Sequence, residues 1–502
     1  MNIPDLKPAQ ALRRSLAMVA QAAPRELAQI ALFNLLTGAG PAATLFLSKL
    51  VIDELSRQVQ LGPVADWRSV VNTDSVLLWA LIGSLALRLI VEITSTVDIL
   101  LFASLRDRVE GAVQGQVLAK IASFSDIALF ESPDLLNIVQ LTEKGVGRIQ
   151  RLSFMISGTL SGLMTFFPAV LLAASLDWWI PLLLIAITVP SVWVEMGHRR
   201  RSWRVETTQA ETSRKLDIYA RLIRGENYAK EIRLFSLQRI MIDRWRDYFT
   251  QRFSAMAEVR KEGAIAMAFW SCISSLGAAV PYVFVVIGVV QGRFTLGDIA
   301  LYTGIIAQMQ GSLTQLIANL GEIYDVTLAT KPIFQLLDLQ PDLTSPPQEF
   351  ASKIWQSTAP QTGIEVQDLA FAYPGSDKPI LQGINFQIKP NELVALVGEN
   401  GAGKTTLGKL LCRLYDPTQG AIYWNGKDYR ELDLGELRDR IAVVMQDYAR
   451  FPTTLRENVG WGYQPKLEQD SAIQAVLAEA GVARLVKNYD LGLETPLGKE
   501  LQ

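Results

Sequence analysis

The 502 residues are 49% hydrophobic and only 20% charged, with a mean hydropathy of +0.20, whereas a soluble chain carries about 25% charged residues and this length allows about three domains. One histidine, His198, and two cysteines, Cys272 and Cys412, exclude zinc proteases, histidine-based triads, cysteine metal sites and a disulfide framework. A net charge of -2 gives no basis for bulk binding of nucleic acid. The composition leaves an integral membrane protein with a soluble portion.

The first 25 residues hold Pro4, Pro8 and Pro24 and no compact apolar run before a small-residue cleavage site, so they do not read as a cleavable signal. They read as an amphipathic helix along the membrane interface, with Arg13 and Arg14 facing headgroups. Six candidate spans follow, at about 28–52, 76–105, 153–178, 180–197, 264–290 and 295–325, each close to the roughly 20 apolar residues that cross a hydrocarbon core. Only Asp177-Trp178-Trp179 separates the third from the fourth, which predicts a tight hairpin. Lysine and arginine concentrate in the N-terminus, in 106–152 and in 197–262, so the positive-inside rule predicts a multi-pass protein with both termini and both long loops in the cytoplasm.

Those loops alternate charged and apolar residues at helical spacing, as in LLNIVQLTEKGVGRIQRL. The membrane helices are therefore expected to continue into the cytoplasm as charged hairpins, turning near Phe130-Glu131-Ser132-Pro133 and near Gly225-Glu226-Asn227. Within the spans, Arg88 and Glu92 stand one helical turn apart, compatible equally with an ion pair and a substrate contact. Trp270, Gln308 and Gln310 are candidates to line a cavity, with helix packing as the plainer role.

Residues 326–362 carry Pro332, Pro341, Pro346, Pro347 and Pro360 and read as a linker. Beyond it the pattern is α/β. GIEVQDLAFAY and PILQGINFQI are expected to be strands, and LVALVG a buried strand running into a glycine-rich turn. The turn, Gly398-Glu399-Asn400-Gly401-Ala402-Gly403-Lys404-Thr405-Thr406, fits G-x-x-x-x-G-K-[ST]. Its glycines let successive backbone N–H groups converge on phosphate oxygens, and the helix that follows aims its positive end at them. Lys404 is expected to reach the β- and γ-phosphates, and the Thr405 hydroxyl to complete a Mg²⁺ shell.

Six spans, long cytoplasmic hairpins, a linker and a P-loop domain together resemble the exporter type of ATP-binding cassette transporter, over essentially the whole chain. The resemblance gives Tyr373, in FAYPG, the place of an aromatic that stacks on adenine, and Gln446, in VVMQD, that of a glutamine contacting Mg²⁺ and the attacking water. It implies that the loop tips, near 129–137 and 225–235, dock on nucleotide domains. The fold it implies is an all-α transmembrane domain of six helices with long cytoplasmic extensions over 1–325, a linker over 326–362, and a partial α/β P-loop nucleotide-binding domain over 363–502. Its cofactors would be ATP and Mg²⁺. Its partners would be a second half-transporter (identical or distinct), the lipid bilayer of the plasma or inner membrane, and an amphipathic peptide, lipid or drug.

The family's signature LSGGQ, Walker B aspartate, adjacent glutamate and switch histidine follow the glutamine in sequence, and the residues up to LGLETPLGKELQ contain none of them. The expectation is a half-transporter truncated before its signature. The alternative is a non-hydrolytic half acting as a regulatory or inactive partner. A membrane sensor kinase is disfavoured by the P-loop type and by the position of the lone His198 at a membrane border. With no protease domain before the first span, and Cys272 inside a span, the self-processing peptide exporters are excluded too, while KEIRLF near the second tip is similar to exporters of modified peptides.

Overall fold

The computed structural model describes residues 4–60, 76–343, 362–376, 378–446 and 448–498. They form two compact units, one of residues 2–121 and 137–339, the other of 122–136 and 340–502.

The first unit is helical. It comprises α1 (Pro8–Ala22), α2 (Pro24–Gln60), α3 (Val76–Ala122), and, past a short helix α4 (Ala128–Glu131) that belongs to the other unit, α5 (Pro133–Leu176) and α6 (Trp179–Thr208). It continues with α7 (Ala210–Arg224), α8 (Ala229–Leu234), α9 (Gln238–Val290) and α10 (Leu296–Asp338). At 1.5 Å per residue the 53 residues of α9 extend about 80 Å, well over twice a hydrocarbon core of about 30 Å. The expected continuation of the spans into charged hairpins is thus present, with turns at 123–132 and 225–237. Asp177-Trp178 alone breaks the chain between α5 and α6. Among the described residues, five helices, α2, α3, α5, α6 and α9, are long and apolar enough to cross a membrane. The sixth expected span, α10, is long enough at 43 residues, but Gln308, Gln310, Gln315 and Asn319 dilute its apolar content.

Burial follows the lipid-facing pattern rather than that of a soluble bundle. Ala169, Ala173, Ile180, Leu184, Val285, Tyr302 and Ile305 pack inside, while Leu85, Ile93, Ile99, Leu171, Trp193 and Leu276 stand exposed on the outside. A Thr295–Asp298 capping box starts α10, and the Lys49–Asp298 ion pair and the Asp53 carboxylate on the Gly297 N–H (2.9 Å) fasten it to α2.

The structure adds to one expectation and corrects another. Arg14 is not without a protein partner: its guanidinium pairs bidentately with Asp338 and lies 4.6 Å from the centre of the Phe334 ring, with Lys331–Asp5 alongside at 3.0 Å. A carboxylate on α10 offers the guanidinium two fixed acceptors. The linker does not open at 326, because α10 runs to Asp338 with Pro332 inside it and Phe334 and Leu336 buried. Burial of these apolar side chains outweighs the hydrogen bond lost at the proline. The remainder of the expected linker, 344–361, lies outside the described residues.

The second unit holds a four-stranded antiparallel sheet. Strands β1 (Ile364–Phe371), β2 (Leu381–Ile388), β3 (Gln419–Trp424) and β4 (Lys427–Asp428) lie in the order β2-β1-β3-β4. Val366 is opposite Phe386 on one side and Ile422 on the other. Val366, Leu369 and Phe371 are buried, and a two-residue Asn425-Gly426 turn closes the β3–β4 hairpin.

The LVALVG stretch departs from the expected buried strand. Residues 392–397 and 441–446 pair with no strand among the described residues, and Leu393 and Val397 are 98% and 94% exposed. An apolar run becomes a central strand only when a ladder forms on each side, and no described segment offers one here.

Candidate nucleotide site

The turn at 398–403 and helix α11 (Lys404–Leu411) form the centre of the site. Gly401 (φ +85°) and Gly403 (φ +89°) occupy left-handed backbone that L side chains rarely adopt, and a Cβ at Gly403 would stand 2.6 Å from Leu381 Cδ2. The Ala402 N–H donates to the Glu399 carbonyl at 3.2 Å, closing the turn. Gly403 caps the helix, its carbonyl accepting from the Leu407 N–H at 2.9 Å. The first N–H groups of the eight-residue α11 have no intrahelical partner and carry the positive end of its dipole.

Lys404 Nζ donates to the carbonyls of Gly398 and Glu399, both at 2.7 Å, so the ammonium lies across the mouth of the turn. Anionic oxygens bind an ammonium more strongly than neutral carbonyls, so a phosphate draws it inward. The neighbouring threonines divide the work: Thr405 is exposed, whereas Thr406 is buried, its hydroxyl 3.0 Å from that of Tyr373.

That hydrogen bond brings one expected residue to the turn. Tyr373 lies two residues beyond β1, and its ring meets Phe371 edge-on at 5.0 Å and Tyr415 edge-on at 5.6 Å. Gln446 is exposed, and no hydrogen bond joins it to the turn. Asp447, beside it, lies outside the described residues.

Sequence reasoning missed a second layer. Glu131, in the 122–136 segment of the same unit, accepts from Lys409 Nζ and from the Tyr415 hydroxyl (2.7 Å). Lys409 Nζ also lies 5.5 Å from the centre of the Tyr373 ring. Burial works against the charge on Lys409, but the hydrogen bond and attraction from Glu131 prevail and raise its pKa above the ordinary lysine value. Burial, then the bond to Glu131, likewise pushes the Tyr415 phenol up. Arg438 bonds the Ser125 carbonyl at 2.8 Å and the Arg413 carbonyl at 2.7 Å, fixing the same segment from another side. Lys409, one turn beyond Thr405 in α11, was within reach of pattern reading, because helix spacing places it on the flank of the P-loop helix, and Glu131 lies in the loop tip near 129–137 that the resemblance expects to dock on a nucleotide domain.

Among the described residues, no three His, Cys, Asp or Glu side chains gather to hold a metal ion. In the helical unit a separate cavity of about 330 Å³ lies between α6, α9 and α10, with Thr188, Glu195, Ser271, Ser275, Gln310 and Thr314 among its walls. Of the expected cavity residues, Gln310 lines it. Gln308 and Trp270 do not, and the Gln308 amide donates to the Thr165 carbonyl at 3.5 Å. Arg88 and Glu92 are both exposed and do not pair with each other.

Residues 381–492 match the ABC transporter family. The chain is 24% identical over 379 residues to the subtilin transport ATP-binding protein SpaT of Bacillus subtilis, a match covering 74% of this chain and 60% of that protein. It is 30% identical over 256 residues to the ATP-dependent lipid A-core flippase of Methylobacillus flagellatus, covering 50% of this chain and 42% of the flippase. It thus spans less than two thirds of the length of these curated relatives. A solved bacterial Atm1-family ABC exporter with ATP bound shares the fold, with a TM-score of 0.70 and 20% identity over 95% of this chain and 81% of that one. The nucleotide segment thus matches the ABC transporter family, which implies ATP binding, and the chain shares the fold of a solved ABC exporter.

Proposed function

We propose that the chain is the membrane and ATP-binding half of an exporter that couples ATP binding and hydrolysis to movement of an amphipathic substrate (lipid, peptide or drug). The observation that carries this reading is the conformation of the 398–406 turn, with both left-handed glycines, a closing Ala402–Glu399 bond and an exposed helix start, in a chain whose other unit has, among its described residues, five helices long and apolar enough to cross a membrane. The polar walls of the α6–α9–α10 cavity favour a cargo with a polar portion. The relatives named for lipid A-core and subtilin transport support lipid or peptide.

The backbone N–H groups from Gly401 to Thr406 would receive the β- and γ-phosphates, Lys404 would leave its two carbonyls for their oxygens, and Tyr373 would stack on adenine. The Thr405 hydroxyl and the Gln446 amide oxygen are neutral donors suited to Mg²⁺ that arrives with phosphates and keeps several waters. That ion would neutralise charge developing on the phosphates. Catalytic roles go to Lys404 and Gln446, and hydrolysis belongs to the assembled pair of halves, identical or distinct, in the plasma or inner membrane with both termini cytoplasmic.

Lys404→Ala tests this. Losing a charge-assisted contact of about 1.5–3 kcal/mol should weaken ATP binding by tenfold or more, and should abolish ATP-driven uptake of labelled lipid or peptide into inside-out vesicles. Unchanged binding and uptake would sink the reading.

A further inference from the structure

We infer that Glu131 is a positioning residue for the nucleotide base: through Lys409 and Tyr415 it holds the ring of Tyr373 where adenine stacks. The inference rests on the adenine role proposed for Tyr373. Four neighbours define the ring. Phe371, fixed in β1, meets it edge-on at 5.0 Å. Thr406 holds its hydroxyl at 3.0 Å, Lys409 Nζ stands 5.5 Å from its centroid, and the Tyr415 ring abuts it at 87°. Two of the four, Lys409 on Oε1 and the Tyr415 hydroxyl on Oε2, are gripped by one carboxylate. Tyr415 is 5% exposed, so its hydroxyl has little access to water and would be left unsatisfied without Glu131.

The origin of that carboxylate gives the arrangement its consequence. Phe371, Tyr373, Thr406, Lys409 and Tyr415 all come from 371–415, whereas Glu131 closes α4 in a segment bounded in sequence by the membrane helices α3 and α5. The adenine platform is complete only while 122–136 is docked. By linkage, a nucleotide whose base uses the platform strengthens that docking by the factor by which docking strengthens base binding. A triphosphate without a base engages the P-loop alone and lacks this coupling.

The experiment measures binding of ATP and of inorganic tripolyphosphate to the full chain in nanodiscs, for wild type, Glu131→Ala, Glu131→Asp, Tyr373→Ala and the double variant. Glu131→Ala should weaken ATP about threefold to tenfold, a share of the stacking contribution, and leave tripolyphosphate unchanged. Unchanged tripolyphosphate binding also certifies a folded P-loop. Glu131→Asp should recover most of the loss, and the double variant should bind ATP no worse than Tyr373→Ala alone. The inference is overturned if Glu131→Ala binds ATP as wild type does while Tyr373→Ala is weakened, or if Glu131→Ala loses both ligands equally. If Tyr373→Ala itself loses nothing, the adenine role and the inference fall together.

Discussion

The nucleotide unit contains two kinds of apolar stretch, and they end in opposite states. In β1 the side chains of Val366, Leu369 and Phe371 are buried and the backbone is laddered on both edges. In 393–397, a more continuously apolar run, no ladder forms among the described residues, and Leu393 and Val397 stand in the open. Hydrophobicity alone does not make a strand. β1 is stable because β2 and β3 satisfy its backbone groups from both sides. The P-loop that follows the unladdered run keeps its shape all the same, because its turn is set by local backbone at Gly401 and Gly403 and by the start of α11.

The largest test of this contrast is Leu369→Ala. Leu369 is 0% exposed, so truncation should lower the stability of the nucleotide unit by roughly 2–5 kcal/mol, read as a drop in thermal unfolding temperature. Next is Tyr373→Ala, which asks whether the turn and the laddered sheet cooperate in one site. ATP affinity should fall by roughly 1–3 kcal/mol if the ring at the end of β1 stacks on adenine, and titration with ATP against tripolyphosphate isolates that contribution. The smallest effect is expected for Leu393→Ala, within about 0.5 kcal/mol, because an exposed side chain has little burial to lose. A loss at Leu393 as large as that at Leu369 would break the contrast and place 392–397 inside a sheet.

The helical hairpins were legible for a simple reason: a period of 3.6 and a charged turn are local properties, and the chain from Ala128 to Pro133 turns where its charge pattern changes. The N-terminal helix was legible as a helix but not in its contacts. Nothing near Arg14 in sequence announces Asp338, and the pairing comes from packing α1 on α10. Pro332 misled because proline is a statistical breaker, and buried neighbours overrode it.

The sequence by itself determined the membrane helices, their approximate ends, the nucleotide turn and the kind of ligand it takes, since each depends on residue spacing within one stretch of chain. Only the tertiary structure decided that Tyr373 meets Thr406 and that Glu131 reaches Lys409 and Tyr415. Those contacts join residues far apart in the chain. Their closure entropy is offset only by burial and hydrogen bonds made together, so no local pattern records them.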